Sequence, residues 1–366
     1  MIRYDVAIIG AGVVGLCIAN ELSKYKLNTI CIEKEKQIAL GASGNNSGVI
    51  HSGINLKPGS MKARFCVEGN RMMYQLCNQL NVPCKKSGTL VVALNNEEVK
   101  VLQELKRRAD LNNVEGVKFL AKHEMKSVEP HVMAEQGLLS PTGGITLPKI
   151  LCQKLADNAL KNGVRFSFNT KVSSIERDAQ FKLKTSNADI SASAVINSAG
   201  LYSDEIAAMV GFTKFTIQPL LGEYYVIDKA KDHLVNSMVY PAPQFRGTGL
   251  GIHLTKTLEG HIIVGPNATQ MKTKEHKIRT SADDFYNAIA KFLPDINVND
   301  LKYGYSGVRA KLAGSQSLLD ADFVIEEYPN NFIHLMGIES PGLTAAPAIA
   351  KHVIGMIGKH VELELN

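Results

Sequence analysis

Three glycines at fixed spacing, Gly10-x-Gly12-x-x-Gly15, stand between an apolar run, Val6 to Ile9, and a helical segment reaching Tyr25. A second apolar run, Thr29 to Ile32, ends on Glu33 and Lys34. In this order the residues suit a pyrophosphate. Gly10 turns the chain out of the strand, Gly12 lets the backbone approach the phosphates, and Gly15 lets helix and strand pack closely. Val13 and Val14 then open the helix with free N–H groups and a positive dipole end. Glu33 falls where a carboxylate can accept the ribose hydroxyls of an adenosine. The glycines alone would describe only a loop; strand, helix, second strand and acid at matching offsets describe an adenine-dinucleotide site.

Further along, Gly41 to Gly48 is rich in small and amide residues, with Ser43, Asn46, Ser47 and Gly48 placed to wrap phosphates and a ring. The plain alternative is a flexible loop. His51 and His253 are the candidate proton acceptors, because imidazole needs little tuning to take a proton near neutrality. An isolated histidine is more often structural, and His253 lies on an alternating strand. Arg309 follows Tyr305-Ser306-Gly307-Val308 on an expected strand, and its guanidinium fork matches a carboxylate at two points. Its alternative is an ion-paired surface side chain. Tyr240, Lys256 and Lys311 are candidates to meet a distal carboxylate or phosphate, or are simply solvated. Cysteine and histidine never cluster at metal spacing, and the G-x-S-x-G nucleophile turn has no suitable context.

The elements that must position these groups follow from periodicity. Pro58 to Asn81 reads as a helix with Met61, Phe65, Met72, Leu76 and Leu80 on its buried stripe and Pro58 in its first turn. Ser87 to Ala93 is a strand, and Asn95 with Glu98 caps the next helix. Pro148 opens a helix that Gly163 ends. Short strands follow from Val164 to Ile190. Ala194 to Asn197 then leads through Ser198-Ala199-Gly200 into a helix at Tyr202 to Val210. The middle third alternates: Gly222 to Ile227, Ile252 to Thr255 and His261 to Val264 read as strands, with Glu259-Gly260 as a hairpin turn and a helix over Ser281 to Leu293. Strands at Phe323 to Glu326 and Phe332 to Met336 precede the Gly337 to Thr344 turn and an alanine-rich helix to about Ile357. The expected fold is α/β with an α+β second domain. A Rossmann-like dinucleotide domain would be assembled from 1–82, 145–212 and 305–366, and a mostly antiparallel substrate domain from 83–144 and 213–304.

Composition bounds the partners. The 366 residues suffice for about two domains, and 45% hydrophobic residues build a core without metal or disulfide staples. The six cysteines lack CxxC spacing and read as buried reduced thiols of a cytoplasmic protein. A net charge of +6 is scattered without a basic run, which argues against nucleic acid and suits steering of a small anion. The apolar start is broken by glycines and resembles no signal peptide. No run reaches membrane-spanning length, leaving peripheral contact with the inner face of a membrane as the one expected form of membrane association.

Over nearly its whole length the chain resembles the FAD-dependent oxidoreductases of the D-amino acid oxidase and glycine oxidase superfamily. The pieces are Gly10-x-Gly12-x-x-Gly15 with Glu33, Ser47 to Gly53, Ser198 to Asp204, Gly307-Val308-Arg309 and Ser340-Pro341-Gly342-Leu343-Thr344. Within it, His51-Ser52-Gly53-Ile54, Pro58 to Ala63, Tyr240-Pro241-x-Pro243 and Gly251 to Thr255 are most similar to the L-2-hydroxyglutarate dehydrogenase or oxidase branch. Asn55-Leu56 departs from that branch's aromatic residues. The C-terminal Pro341 to Thr344 segment looks more like the short glycerol-3-phosphate oxidases. The resemblance implies noncovalent FAD, with Val172 at the adenine, Ala199 and Gly200 along the dinucleotide, and Gly337, Pro341, Gly342, Leu343 and Thr344 around the flavin. It further implies oxidation of a small L-2-hydroxy acid, foremost L-2-hydroxyglutarate to 2-oxoglutarate by hydride transfer to the flavin, with glycerol 3-phosphate or an amine or amino acid as alternative substrates. Oxygen, a quinone or another carrier would accept the electrons.

Overall fold

The structure is a computed structural model describing residues 2–243, 251–275, 279–313, 321–359 and 361–366. Ile2–Ile9 lies between parallel strands, Ile190–Asn197 on one side and Thr29–Ile32 on the other, and Val6 to Ile9 are buried because both faces are covered, Val6 and Ile8 in one core cluster and Ala7 and Ile9 in another. Strands covered on both faces read as continuous apolar runs. Arg165–Ser167 extends this sheet beyond Thr29–Ile32, and Phe332–Met336 joins Ile190–Asn197 in parallel. Val172–Arg177, Phe181–Thr185 and Val324–Glu327 complete an eight-stranded sheet with antiparallel pairs. Helices Val13–Leu22, Pro148–Lys161, Met61–Gln79 and Gly342–Ile357 pack together in one core with the sheet.

The second sheet has nine strands and is antiparallel except where Thr89–Ala93 meets Met238–Pro241. Its spine is the long pair Ile217–Ile227 and Leu301–Leu312. The hairpin expected at Glu259-Gly260 joins Leu254–Lys256 to Ile262–Val264, with Gly260 at φ 92°. Val49–Ile50, Gly144–Thr146 and Cys84–Lys85 form a small third sheet between them in the chain order.

Several expectations shift. The helix expected from Pro58 begins at Met61, because Ser60 caps it by accepting the Ala63 N–H at 3.1 Å while Gly59 takes φ 80°. Its buried face is also rotated: Lys62, Phe65, Cys66, Gly69, Asn70, Met73 and Cys77 point inward, whereas Met61 is exposed. Gly69 sets that face, since a Cβ there would lie 2.2 Å from the Thr344 carbonyl oxygen of the C-terminal helix. The helix expected over Ser281 to Leu293 ends at Ile289, ahead of Pro294, which disfavours helical geometry in its predecessor. The boundary expected at residue 305 falls inside Leu301–Leu312, which continues in the second sheet because its partner strand runs on to Ile217. Among the described residues, no helix is long and apolar enough to cross a membrane. Five of the six free cysteines are buried and Cys84 is half-buried.

Candidate functional site

The glycine turn is shaped by close approaches. Gly10 has φ 104° and a Cβ there would sit 2.6 Å from the Ser198 carbonyl oxygen; a Cβ on Gly15 would sit 2.1 Å from that of Gly10. Gly12 is the extended N-cap of Val13–Leu22, with no side chain of its own to fill the helix entrance. There the Val13 N–H donates to Ser43 Oγ at 2.9 Å, so the serine-rich loop is drawn onto the helix N-terminus. Glu33 is oriented at both oxygens. Oε2 accepts the Ala11 N–H at 2.8 Å and Oε1 that of Glu35 at 2.9 Å, which leaves lone pairs on each oxygen for further donors.

From this cradle one cavity of about 1430 Å³ runs to the second sheet. It exceeds the roughly 300–1,000 Å³ of an ordinary ligand pocket and so accommodates an extended dinucleotide with a small molecule beside it. Gly10, Gly12, Val13, Val14, Glu33, Lys34, Ser43, Asn46, Ser47, Val172, Ala199 and Gly200 line it at one end and along its length. His51, His253, Arg309, Lys311, Pro341, Gly342 and Leu343 line it too, so the residues with chemistry share the dinucleotide's cavity.

Six of the expected residues stand off the lining. Gly15 and Gly48 serve close packing, a Cβ on Gly48 falling 2.4 Å from the Thr146 carbonyl oxygen. Gly337, at φ 66°, makes room for Leu312, 2.6 Å from where its Cβ would be. Thr344 is buried behind the wall, its Oγ1 accepting the His51 N–H at 2.9 Å. Tyr240 stacks under His253 with ring centroids 3.9 Å apart. Lys256 lies elsewhere, its Nζ donating to the Asp232 carbonyl oxygen.

At the end of the cavity away from the glycine turn, His51 Nε2 is 3.2 Å from Ser340 Oγ, and the His51 carbonyl accepts a hydrogen bond from Asn70 Nδ2 at 2.9 Å. Burial pulls the His51 imidazole down to about 4, against an opposing pull from Glu339. His253 Nδ1 donates to the Gly251 carbonyl oxygen at 3.1 Å; burial pulls this ring to about 3, against that hydrogen bond and with His51 and Arg309 adding to the pull. Its Nε2 is buried without a partner among the described residues. Arg309 donates to the Asn267 carbonyl oxygen at 3.2 Å and has no carboxylate partner among the described residues. Gly222 faces it, where a Cβ would crowd the guanidinium at 3.0 Å. Beside it, Lys311 and Lys62 share the Glu339 carboxylate.

Lys62 and Glu339 were not among the residues singled out from sequence. A signal existed for Lys62: it falls at helical spacing from Phe65, Cys66, Gly69 and Met73, a charge in phase with a buried face. Nothing comparable marks Glu339, one polar residue in a turn.

The buried histidines carry a pH consequence. His51 and, in the first sheet, His334 are each held near 4 by burial, His334 between Asn197 Nδ2 and the Tyr328 carbonyl oxygen. Their folded values lie below the unfolded 6.5, so the unfolded chain binds more protons in acid. The stability they contribute is complete above pH 6.5 and lost as pH falls toward 4, at about 3 kcal/mol per ring. The melting temperature of the FAD-loaded protein should therefore be level above pH 7 and fall steadily from 6.5 to 5. An unchanged midpoint across that interval would contradict it.

A glycine cradle and oriented acid at one end of a cavity, with imidazoles and a guanidinium that has no carboxylate ion-pair partner among the described residues at the other, define a dinucleotide-dependent oxidoreductase. Residues 5–356 match the model of the FAD dependent oxidoreductase family, DAO, and the chain belongs to that family. It is 36% identical to a glycerol 3-phosphate dehydrogenase of Caloramator mitchellensis, over 99% of this chain and 76% of that protein. It is 31% identical to an L-2-hydroxyglutarate dehydrogenase of Indibacter alkaliphilus, over 94% and 96%. Among solved structures, FAD-bound L-alpha-glycerophosphate oxidase of Mycoplasma pneumoniae superposes with TM-score 0.91 at 30% identity, covering 100% of this chain and 97% of that one. The chain is thus an FAD-dependent oxidoreductase with relatives named for CH–OH substrates.

Proposed function

We propose that this enzyme oxidises the secondary hydroxyl of a small dianion, with glycerol 3-phosphate the leading substrate and L-2-hydroxyglutarate the second. The carrying observation is the grouping of charge. Arg309 and Lys311 are two residues apart on Leu301–Leu312 and so share a face, and Lys62 meets them through Glu339. Positive charge concentrated on one wall suits a substrate with both negative charges at one end. The C-terminal Ser340 to Thr344 segment and the more similar named relative favour the same alcohol. L-2-hydroxyglutarate is supported by the His51 to Ile54 resemblance and by its own named relative.

Gly10, Gly12, Ser43 and Glu33 would hold FAD, which would supply the hydride acceptor. The chain's own residues do the rest. Arg309, with two-point geometry, and Lys311 grip the anionic end and orient the alcohol. His51, neutral at pH 7, takes the hydroxyl proton on Nε2 as the alcohol displaces the Ser340 Oγ contact there, which lies at 3.2 Å before substrate enters. The helix Gly342–Ile357 opens on the cavity through Gly342 and Leu343, so its positive end favours negative charge developing there.

Anaerobic glycerol 3-phosphate should bleach the flavin faster than L-2-hydroxyglutarate; the reverse order promotes the second substrate, and no bleaching by either ends the proposal. Readmitting oxygen then separates an oxidase from an enzyme that passes electrons to a quinone or another carrier. Arg309→Met should raise KM for the dianion by about 30- to 1,000-fold, the scale of removing one partner of a buried charge pair, with FAD content unchanged. An unaltered KM would remove Arg309 from the substrate site.

A further inference from the structure

The cavity wall holds two lysines for one carboxylate. Lys62 Nζ and Lys311 Nζ both approach Oε1 of Glu339, at 2.5 and 3.3 Å. Lys62 comes from the first turn of Met61–Gln79, Lys311 from the strand Leu301–Leu312 and Glu339 from the turn before the C-terminal helix. All three side chains are buried, with exposures of 8%, 4% and 7%, and all line the cavity. Each ammonium has three donors, and one shared oxygen cannot use them.

A purely structural ion pair would match charges one to one. Among the described residues one carboxylate faces two ammonium groups, and a buried positive charge in excess is costly unless something negative joins it. Burial holds Lys311 below its ordinary value, against the pull of Glu339, as expected of a cation incompletely balanced. Helix stability does not explain Lys62 either, since a lysine in the first turn opposes the helix dipole. Backbone anchoring makes its placement firm: Asp322 accepts the N–H groups of Met61 and Lys62 at 2.7 and 2.8 Å.

We propose that Lys62 determines substrate specificity, forming with Lys311 the subsite for the substrate's anionic end, and that Glu339 is the positioning residue holding both ammonium groups there. The inference deepens the reading given above and rests on it only for the identity of the alcohol. Glu339 also competes with the substrate for the same donors, so it limits affinity as it orients them.

Inorganic phosphate titrated calorimetrically into FAD-saturated protein tests the subsite apart from turnover. Lys62→Met should weaken phosphate at least 10-fold and raise KM for the dianion about 10- to 100-fold with kcat changed less than 3-fold; Lys62→Arg should recover most of both. Glu339→Gln, close in shape, should tighten phosphate several-fold, and decides the matter if Lys62→Met does not fold. Wild-type protein that binds no phosphate, or phosphate affinity indifferent to both substitutions, overturns the proposal. If affinity follows Lys62 while neither alcohol reduces the flavin, the subsite stands and the substrate reading falls. If an alcohol reduces the flavin while affinity ignores Lys62, the reverse holds.

Discussion

His51→Asn should slow anaerobic flavin reduction by about 10²–10⁴-fold, the usual range for a lost general base, while FAD remains bound and the melting temperature changes little. The choice of His51 over His253 is electrostatic. Desolvation lowers both rings and keeps them neutral at pH 7, but their charged neighbours act oppositely. Glu339 favours a protonated His51, whereas Arg309 and His51 disfavour a protonated His253. A proton leaving the alcohol therefore settles more readily on His51. Holding the substrate with the cationic wall adds negative charge near that ring and strengthens it further as a base. His253, stacked on Tyr240 and bonded to Gly251 through Nδ1, is built to hold its orientation; His253→Asn should cost about 10-fold, by a similar argument limited to one hydrogen bond. Stopped-flow reduction of both variants ranks them. Equal rates for His51→Asn and wild type, or a larger loss in His253→Asn, would assign the base differently.

Gly10→Ala should yield protein without bound FAD and with a melting temperature far below wild type. Two costs coincide there. The backbone sits at φ 104°, and the added methyl would lie 2.6 Å from the Ser198 carbonyl oxygen, backbone that is itself locked by the Ser198 N–H to the Ile9 carbonyl oxygen at 3.0 Å. Strain and overpacking together come to roughly 3–5 kcal/mol, a large part of the stability of an ordinary domain. Gly163→Ala provides the comparison. Gly163 has φ 93° but nothing within 4 Å of its Cβ position, so it isolates the backbone term at about 1 kcal/mol. Absorbance of the purified variants at the flavin band, with their melting curves, measures both. FAD content in Gly10→Ala equal to that in Gly163→Ala would show that the close approach to Ser198 is not what shapes the cradle.

Local order made most of the first sheet legible. Val6 to Ile9 and Thr29 to Ile32 announce strands buried on both faces, and the glycine spacing between them is dictated by contacts only a few residues away in the fold. Ser60 displaced Pro58 as the start of a helix because a capping hydroxyl satisfies a free N–H whereas proline merely tolerates the position. The buried stripe of that helix was misplaced for a different reason. Apolar spacing suggested Met61, Met72 and Leu76, but the neighbouring helix comes too close at Gly69 for any side chain there, so the face centred on Gly69, with Lys62, Phe65, Cys66, Asn70, Met73 and Cys77, turns inward.

What sequence alone made legible is the glycine turn with its acid and a set of candidate groups, Gly10 to Gly15 with Glu33, the Ser43 to Ser47 loop, His51, His253 and Arg309, which share one cavity apart from Ala11, Gly15 and Gly44 and were marked by backbone permissiveness and side-chain type. Tertiary structure decided which of them meet. It brought Lys62, Lys311 and Glu339 together from segments up to 277 residues apart, set Lys256 aside, and placed Tyr240 behind His253. The reason is that burial and charge pairing depend on distance in space, and the turn ahead of the helix Gly342–Ile357 carries no periodicity to reveal which carboxylate will stand between two lysines.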